Sequence, residues 1–269
     1  MLQSKATVLD RHPIGGGYNW LVLDAPDIAA NARPGQFIHL RVPALEDSAL
    51  RRPFSICDAR DGRLSVLYKE VGRGTAAMAA IKPGDPIDII GPLGNGFPTG
   101  IAPDATPILV GGGYGVAPLL FLARELAAAG RRDGVLMAGA RAEADLLLRG
   151  RFAELGWEER FSTADGSVGV KGFVTDVLDS WLAEHPGKPA VFFACGPDGM
   201  LRAVGDRAIA RPATSPRIDA WLSLDKHMVC GIGACLACVQ TLRDPDGTTR
   251  LARVCKDGPV FESRQIVWR

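Results

Sequence analysis

The chain has 269 residues, enough for two domains or one large one, and a hydrophobic fraction of 47% that is ample for a packed core. Its formal net charge of +1 gives no basis for a nucleic-acid or anionic-membrane partner. No apolar run reaches the length of a membrane span, and the opening Met1-Leu2-Gln3-Ser4-Lys5-Ala6 carries no signal-peptide pattern; a cytoplasmic protein with neither nucleic acid nor membrane as partner is expected.

Residues 1–100 read as β. Short runs with β-branched or aromatic content lie at 5–9, 18–23, 36–42, 53–57, 63–68 and 87–90. Pro34-Gly35, Asp61-Gly62 and Pro83-Gly84 punctuate them as turns. Six short strands at this spacing predict a small antiparallel barrel. The alanine-rich stretch 75–81 is expected to form one short helix.

The pattern changes at 101. Compact apolar runs at 107–110, 134–140, 161–164 and 190–194 alternate with helical patterns at 116–129, 146–155, 174–184 and 199–209. That alternation predicts βαβ units and a parallel sheet over residues 101–218. Residues 219–269 are expected to form a small third domain. In it the turn Asp244-Pro245-Asp246-Gly247 folds the chain back on itself.

That last segment holds the densest chemistry. Cys230, Cys235 and Cys238 stand as C-x4-C-x2-C, with Cys255 as a distant fourth. This is the plant-type spacing for a [2Fe–2S] cluster. Gly231 and Gly233 let the loop curl so that four thiolates converge. A structural zinc site prefers two C-x2-C-like pairs, and only one is present; disulfides need an oxidising compartment. Cys57 and Cys195 fall outside the pattern.

Three further motifs look like ligand cradles. Gly112, Gly113 and Gly115 sit between an expected strand and an expected helix, where backbone N–H groups can hold a pyrophosphate. The run departs from G-x-G-x-x-G, so a plain tight turn is the competing reading. Cys195-Gly196-Pro197 ends another strand of the same sheet and is expected to line the same crevice. In the barrel, Arg52-Pro53-Phe54-Ser55 sets a cation, an aromatic and a hydroxyl side by side. The arginine suits a pyrophosphate bidentately, and the ring suits a flat ligand. Gly72-Arg73-Gly74-Thr75 opens the alanine-rich helix as a second phosphate cradle.

Taken in order, the barrel, Arg-Pro-Phe-Ser, Gly-x-Gly-Thr, the glycine-rich βαβ turn and Cys-Gly-Pro resemble the ferredoxin–NADP reductase superfamily. The cysteine loop and Arg253-Val254-Cys255-Lys256-Asp257-Gly258-Pro259-Val260-Phe261 narrow the resemblance to the electron-transfer subunits of heterodimeric, NAD-dependent dihydroorotate dehydrogenases. It spans essentially the whole chain. It implies FAD on the barrel at Arg52, Pro53, Phe54, Ser55, Leu67, Tyr68, Lys69, Gly74 and Thr75. It also implies NAD(H) in the α/β domain, one [2Fe–2S] cluster on Cys230, Cys235, Cys238 and Cys255, and an FMN-containing catalytic subunit as partner, in a heterotetramer. One departure is Phe54, where the superfamily often has tyrosine. Relatives of this type serve other dehydrogenases, hydrogenases or sulfide-type enzymes. A non-enzymatic redox or zinc module is the alternative from another class.

A flavin exchanges both electron pairs and single electrons, so no catalytic side chain is required on this chain. His12, His39, His185 and His227 are accordingly read as structural or solvated. For nicotinamide choice, Asp165 follows an expected strand, where a carboxylate accepts from ribose hydroxyls and repels a 2′-phosphate. Arg141, also at a strand end, would do the opposite. The expectation is NADH.

Overall fold

The computed structural model describes residues 1–42, 50–210 and 218–268. Strands β1 (Leu2–Gly15), β2 (Tyr18–Asp24), β3 (Phe37–Leu40), β4 (Arg52–Arg60), β5 (Arg63–Lys69) and β6 (Pro86–Leu93) close into an antiparallel barrel in the order β1-β2-β5-β4-β3-β6. Alternation builds its inside: Leu21 and Leu23 on β2, Leu64 and Val66 on β5, and Ile87 and Ile89 on β6 are all buried. Closure leaves these strands no open edge. All six expected strands are present, β1 and β4 much longer than their apolar runs. A short helix α1 (Pro26–Ala29) follows β2.

The alanine-rich helix α2 (Arg73–Ala77) begins two residues before the expected start at 75 and passes into a 3-10 turn at Met78–Ala80. The reason is local. Thr75 Oγ1 accepts from the N–H groups of Val71 (2.8 Å) and Gly72 (3.2 Å), so Thr75 closes the first turn from inside it.

The second layer is a seven-stranded sheet. Strands β7 (Thr106–Gly112), β8 (Val135–Ala140), β9 (Glu158–Thr163), β10 (Val170–Lys171) and β11 (Ala190–Cys195) come from the expected α/β region. Helices α3 (Val116–Ala128), α4 (Val174–Glu184) and α5 (Asp198–Ile209) cover them. Two strands of the 219–269 segment complete the sheet: β12 (Asp219–Ser223) runs parallel beside β11, and β15 (Val260–Glu262) antiparallel beside β12, giving β10-β9-β8-β7-β11-β12-β15. A boundary at 218/219 therefore cuts through one hydrogen-bonded sheet. Between β12 and β15 lie the cysteine loop, the hairpin β13 (Val239–Arg243) and β14 (Thr249–Arg253), and the short helix α6 (Val254–Asp257). The hairpin turns at Asp244–Gly247 as expected, with Asp246 Oδ1 accepting from Thr248 N (2.9 Å) and Thr248 Oγ1 (2.7 Å).

The helix expected over 146–155 is not formed. Leu148 (φ 58°) and Gly150 (φ 81°) are left-handed and break any helical run. The Glu159 carboxylate on β9 takes up the freed donors, accepting from Gly150 N (2.9 Å), Phe152 N (3.0 Å) and Ala153 N (3.2 Å). Only single 3-10 turns remain, at Glu143–Asp145 and Ala153–Leu155. The apolar residues of this stretch are buried without a helix: Leu146, Leu147 and Phe152 pack in the same core as α3.

One face of the sheet packs on α4, α5 and the cysteine-bearing segment, so that Cys238, Val254 and Cys255 share a core with Phe192, Leu201 and Trp181. The other face packs on α3. Phe121 of α3 enters the core of the barrel, and Arg124 of α3 lies 3.6 Å from buried Asp58 on β4. Barrel and sheet thereby share packed side chains. Among the described residues no helix is long and apolar enough to cross a membrane.

Candidate functional site

Strands β7 and β11 are neighbours in register, with Cys195 opposite Gly111. Their carboxyl ends thus bring the glycine turn and Cys195-Gly196-Pro197 together. They line a cleft of about 870 Å³ with Tyr18, Tyr114, Phe173 and Met200. Gly113 takes φ +55° in the turn. Gly115 does not line the cleft; a methyl there would strike the carbonyl of Cys195, so its bareness lets turn and strand end meet. Cys195 is buried, and burial pushes its thiol up to about 12, so it is a neutral wall and not a nucleophile.

The two candidate selectivity residues sit differently. Asp165 does not line the cleft. Its Oδ1 folds back to accept from Ser167 N (2.9 Å) and Ser167 Oγ (2.6 Å), bonds that hold its carboxyl below the usual range. Arg141 does line it, together with Asp145. Asp145 lies 3.5 Å from Arg141 Nε and 3.6 Å from Lys69 Nζ. Lys69 also stands 4.4 Å from the centre of the Tyr18 ring. Lys69 thus reaches the edge of this cleft through Asp145 and Tyr18, both of which line it.

On the barrel, Arg52 and the α2 turn meet. A methyl at Gly74 would lie 2.9 Å from Arg52 Nε. Arg52 Nη1 donates to Leu50 O (2.8 Å), which points the guanidinium over that turn. Phe54 and Tyr68 form a tilted pair with centroids 5.9 Å apart. Tyr68 Oη is buried and has no partner among the described residues, as expected of a donor waiting for a ligand. Leu67 is buried against the sheet domain with Tyr18. Pro53 and Ser55 stand opposite His39 and Phe37 in the β4–β3 ladder. The residues present therefore suit a ligand with a pyrophosphate and a flat ring.

The cysteine loop is shaped for sulfur ligation. Cys230 Sγ accepts from Ala234 N (3.3 Å) and Cys235 N (3.4 Å). Burial pushes this thiol up, but backbone N–H groups of Ile232, Cys235 and Ala234 outweigh it and bring it down to about 6. The thiols of Cys230 and Cys235 act on one another, as do those of Cys238 and Cys255, and the Cys255 thiol is driven up by burial and by Cys238. Among the described residues no three His, Cys, Asp or Glu side chains close on one point. Four thiols in this one segment are the donor set that two irons with two thiolates each would take. Cys255 N also donates to Cys238 Sγ (3.4 Å).

A family model described as the iron–sulfur cluster binding domain of dihydroorotate dehydrogenase B matches residues 225–267. A second, the oxidoreductase NAD-binding domain, matches residues 109–206. The dihydroorotate dehydrogenase B (NAD(+)), electron transfer subunit of Geobacillus kaustophilus (strain HTA426) is 40% identical over 268 residues, 98% of this chain and 98% of that protein. The protein of the same name from Bacillus caldolyticus shows the same identity and coverage. The chain belongs to this family. It is an oxidoreductase subunit with an NAD-binding domain and an iron–sulfur cluster domain. Among solved structures, that of an NADH-dependent reduced ferredoxin-NADP oxidoreductase, described for flavin-based electron bifurcation, aligns with a TM-score of 0.82 at 30% identity over 98% of this chain and 90% of that one. An Amycolatopsis cytochrome P450 reductase, GcoB, aligns at 0.64 and 27% identity over 81% and 69%.

Sequence reasoning missed Tyr18, Tyr114, Asp145, Phe173, Met200 and Asp225 of the cleft. Tyr18 comes from the barrel and Asp225 from the cysteine-bearing segment, and no local pattern marks either. Tyr114 Oη donates to Asp225 (3.1 Å), joining the glycine turn to the lead-in of the cysteine loop; burial and that carboxylate push the phenol up to about 12.

Proposed function

We propose that this chain carries electrons between NAD(H) and a [2Fe–2S] cluster by way of FAD. It does so as the electron-transfer subunit to a catalytic subunit that holds FMN and oxidises dihydroorotate, the two assembling as a heterotetramer. The observation that carries this reading is the position of the barrel. Tyr18 of β2 lines the nucleotide cleft, while His39 of β3 packs on Gly231 of the cysteine loop. The Arg52–Ser55 motif thus lies on the barrel, which touches both ends of the route. The relatives' name supports the dihydroorotate assignment.

When bound, FAD exchanges a hydride with nicotinamide and single electrons with the cluster, which no side chain here can do. The chain's own residues bind and orient. Arg52 and the turn at Gly74 and Thr75 hold the flavin pyrophosphate, Phe54 packs on its ring system, and Tyr68 Oη gives it a hydrogen bond. Pro53, Ser55 and the backbone of Leu67 and Tyr68 complete that site. Gly112, Gly113 and the N-terminus of α3 hold the nicotinamide dinucleotide, with Gly196 and Pro197 beside it. Neutral Cys195 and the apolar Phe173 and Met200 keep water from the reacting end. Cys230, Cys235, Cys238 and Cys255 hold the irons.

NADH is the preferred nucleotide in this reading. Asp145 takes the part expected of Asp165, because it stands in the cleft and neutralises Arg141 and Lys69. Six thiols without a disulfide agree with a reducing, cytoplasmic setting. The test is purification of the native complex. The expected result is one partner that contains FMN and oxidises dihydroorotate, with NADH bleaching both flavin and iron–sulfur absorbance. A partner from a different oxidoreductase would overturn the assignment.

A further inference from the structure

The order of the strands sets out the nucleotide cleft from end to end. Under it the sheet runs β8-β7-β11-β12. Arg141 and Asp145 follow β8, the glycine turn follows β7, Cys195 ends β11, and Asp225 stands two residues past β12; all of them line the cleft. A dinucleotide whose pyrophosphate rests at the glycine turn lies in the middle of that row. It sends one nucleoside toward β8 and the other toward β11 and β12. The β8 side holds Asp145 with Arg141 and Lys69, the groups that face the adenosine ribose. The nicotinamide half therefore meets Cys195, Gly196, Pro197 and Asp225.

Asp225 differs from the other carboxylates of the cleft. Asp198 is taken up by Lys226 at 2.6 Å, and Asp145 by two cations. Among the described residues, the one hydrogen bond to Asp225 comes from Tyr114 Oη to Oδ2 (3.1 Å). That donor is neutral and leaves Oδ1 open to a ligand. The carboxylate is exposed, but its backbone is held on both sides. Leu224 N donates to Pro259 O (2.9 Å), and Lys226 Nζ reaches Asp198 on α5. A nicotinamide ring carries one hydrogen-bond donor, the N–H2 of its carboxamide.

We propose that Asp225 is the specificity residue for the nicotinamide carboxamide: its Oδ1 accepts an N–H of that group, while Tyr114 holds the carboxylate in place through Oδ2. A carboxylate accepts and cannot donate, so it selects the amide nitrogen over the amide oxygen. The bond is charge-assisted, the strong kind, and a site built for a donor rejects an analogue that lacks it. Tyr114 is the positioning residue of the pair. The inference rests on the reading of this cleft as the NAD(H) site.

The test is anaerobic stopped-flow bleaching of the flavin in the purified holoprotein and in Asp225→Ala, Asp225→Asn and Tyr114→Phe. The reductants are NADH and its 3-acetylpyridine analogue, in which an acetyl group without N–H replaces the carboxamide. The unmodified protein must be bleached by NADH; failure there would overturn the reading of the cleft, and this inference with it. Asp225→Ala is expected to lower the second-order rate with NADH about thirtyfold and to leave the rate with the analogue unchanged. Asp225→Asn keeps an accepting oxygen without the charge, and its loss with NADH is expected to be about fivefold. Tyr114→Phe is expected to lose about as much with NADH and nothing with the analogue. Equal losses with the two reductants would mean a merely structural role and overturn the proposal. So would an unchanged NADH rate in Asp225→Ala. An unchanged NADH rate in Tyr114→Phe would overturn the part given to Tyr114.

Discussion

Gly115→Ala and Gly199→Ala should move stability in opposite directions, although both glycines stand beside the nucleotide cleft. Gly115 has ordinary helical dihedrals (φ −61°, ψ −14°), so alanine brings no backbone strain there. Its methyl would collide with Cys195 O and C and lie 2.9 Å from Gly196 N, all backbone atoms of a strand end that cannot rotate aside. Overpacking of this kind costs about 1–3 kcal/mol, and a backbone obstacle sets the upper end, about 3 kcal/mol. Relief requires the end of β11 to move from β7, which opens the cleft; NADH affinity should fall about tenfold, or about 1.4 kcal/mol. Gly199, in the first turn of α5, has nothing within 4 Å of its would-be methyl. Alanine there narrows the unfolded ensemble and should stabilise by about 0.4–1 kcal/mol. Urea unfolding followed by tryptophan fluorescence, with NADH binding by calorimetry, measures both. If Gly115→Ala unfolds within about 0.5 kcal/mol of the parent and binds NADH as tightly, the packing argument fails.

Cys255→Ala should abolish the [2Fe–2S] EPR signal and visible absorbance; a full-strength signal would remove Cys255 from the ligand set. Arg52→Ala should cut flavin retention on gel filtration more than it weakens NADH, because charge-assisted bonds to a pyrophosphate are the strong ones; unchanged flavin content would refute that role. Asp145→Ala should free Arg141 and Lys69 for a 2′-phosphate and narrow the kcat/KM gap between NADH and NADPH, while Asp165→Ala should leave it alone; the reverse pattern would restore Asp165. Asp88 accepts from Arg51 (2.6 Å) and Gln3 (3.1 Å), and although burial opposes them these bonds hold its carboxyl below the ordinary 3.8. A depressed carboxyl stabilises fully above its unfolded value and loses that contribution as pH falls through the folded one. Asp88→Asn should therefore cost about 1–2 kcal/mol at neutral pH, and the gap should begin to close only as pH falls below the ordinary 3.8; a pH-independent gap in urea midpoints would refute it.

Much of this protein was legible from spacing alone. Six short runs of β-branched and aromatic residues between turn pairs became the six barrel strands, and the strand–helix alternation became the parallel sheet, because both follow from which residues can face a core. The cysteine spacing is local chemistry, and the loop that carries it is built from residues 230–238. The segment 146–155 has the apolar content of a buried helix but does not form one. A carboxylate on β9 and two left-handed residues decide that stretch, and neither shows in a periodicity. Likewise β12 and β15 are too short to announce that they join the sheet. Asp165 and Asp145 are equally acidic in the sequence; only the turn that Asp165 closes with Ser167 takes it out of the cleft. His39 is one histidine among four until β3 sets it against Gly231 of the cysteine loop. Local pattern determines elements and ligand loops because its forces act between near neighbours in the chain. Which polar groups are buried, paired or left open for a ligand depends on contacts between residues far apart in sequence, such as those 192 positions apart here, and only folding brings these together.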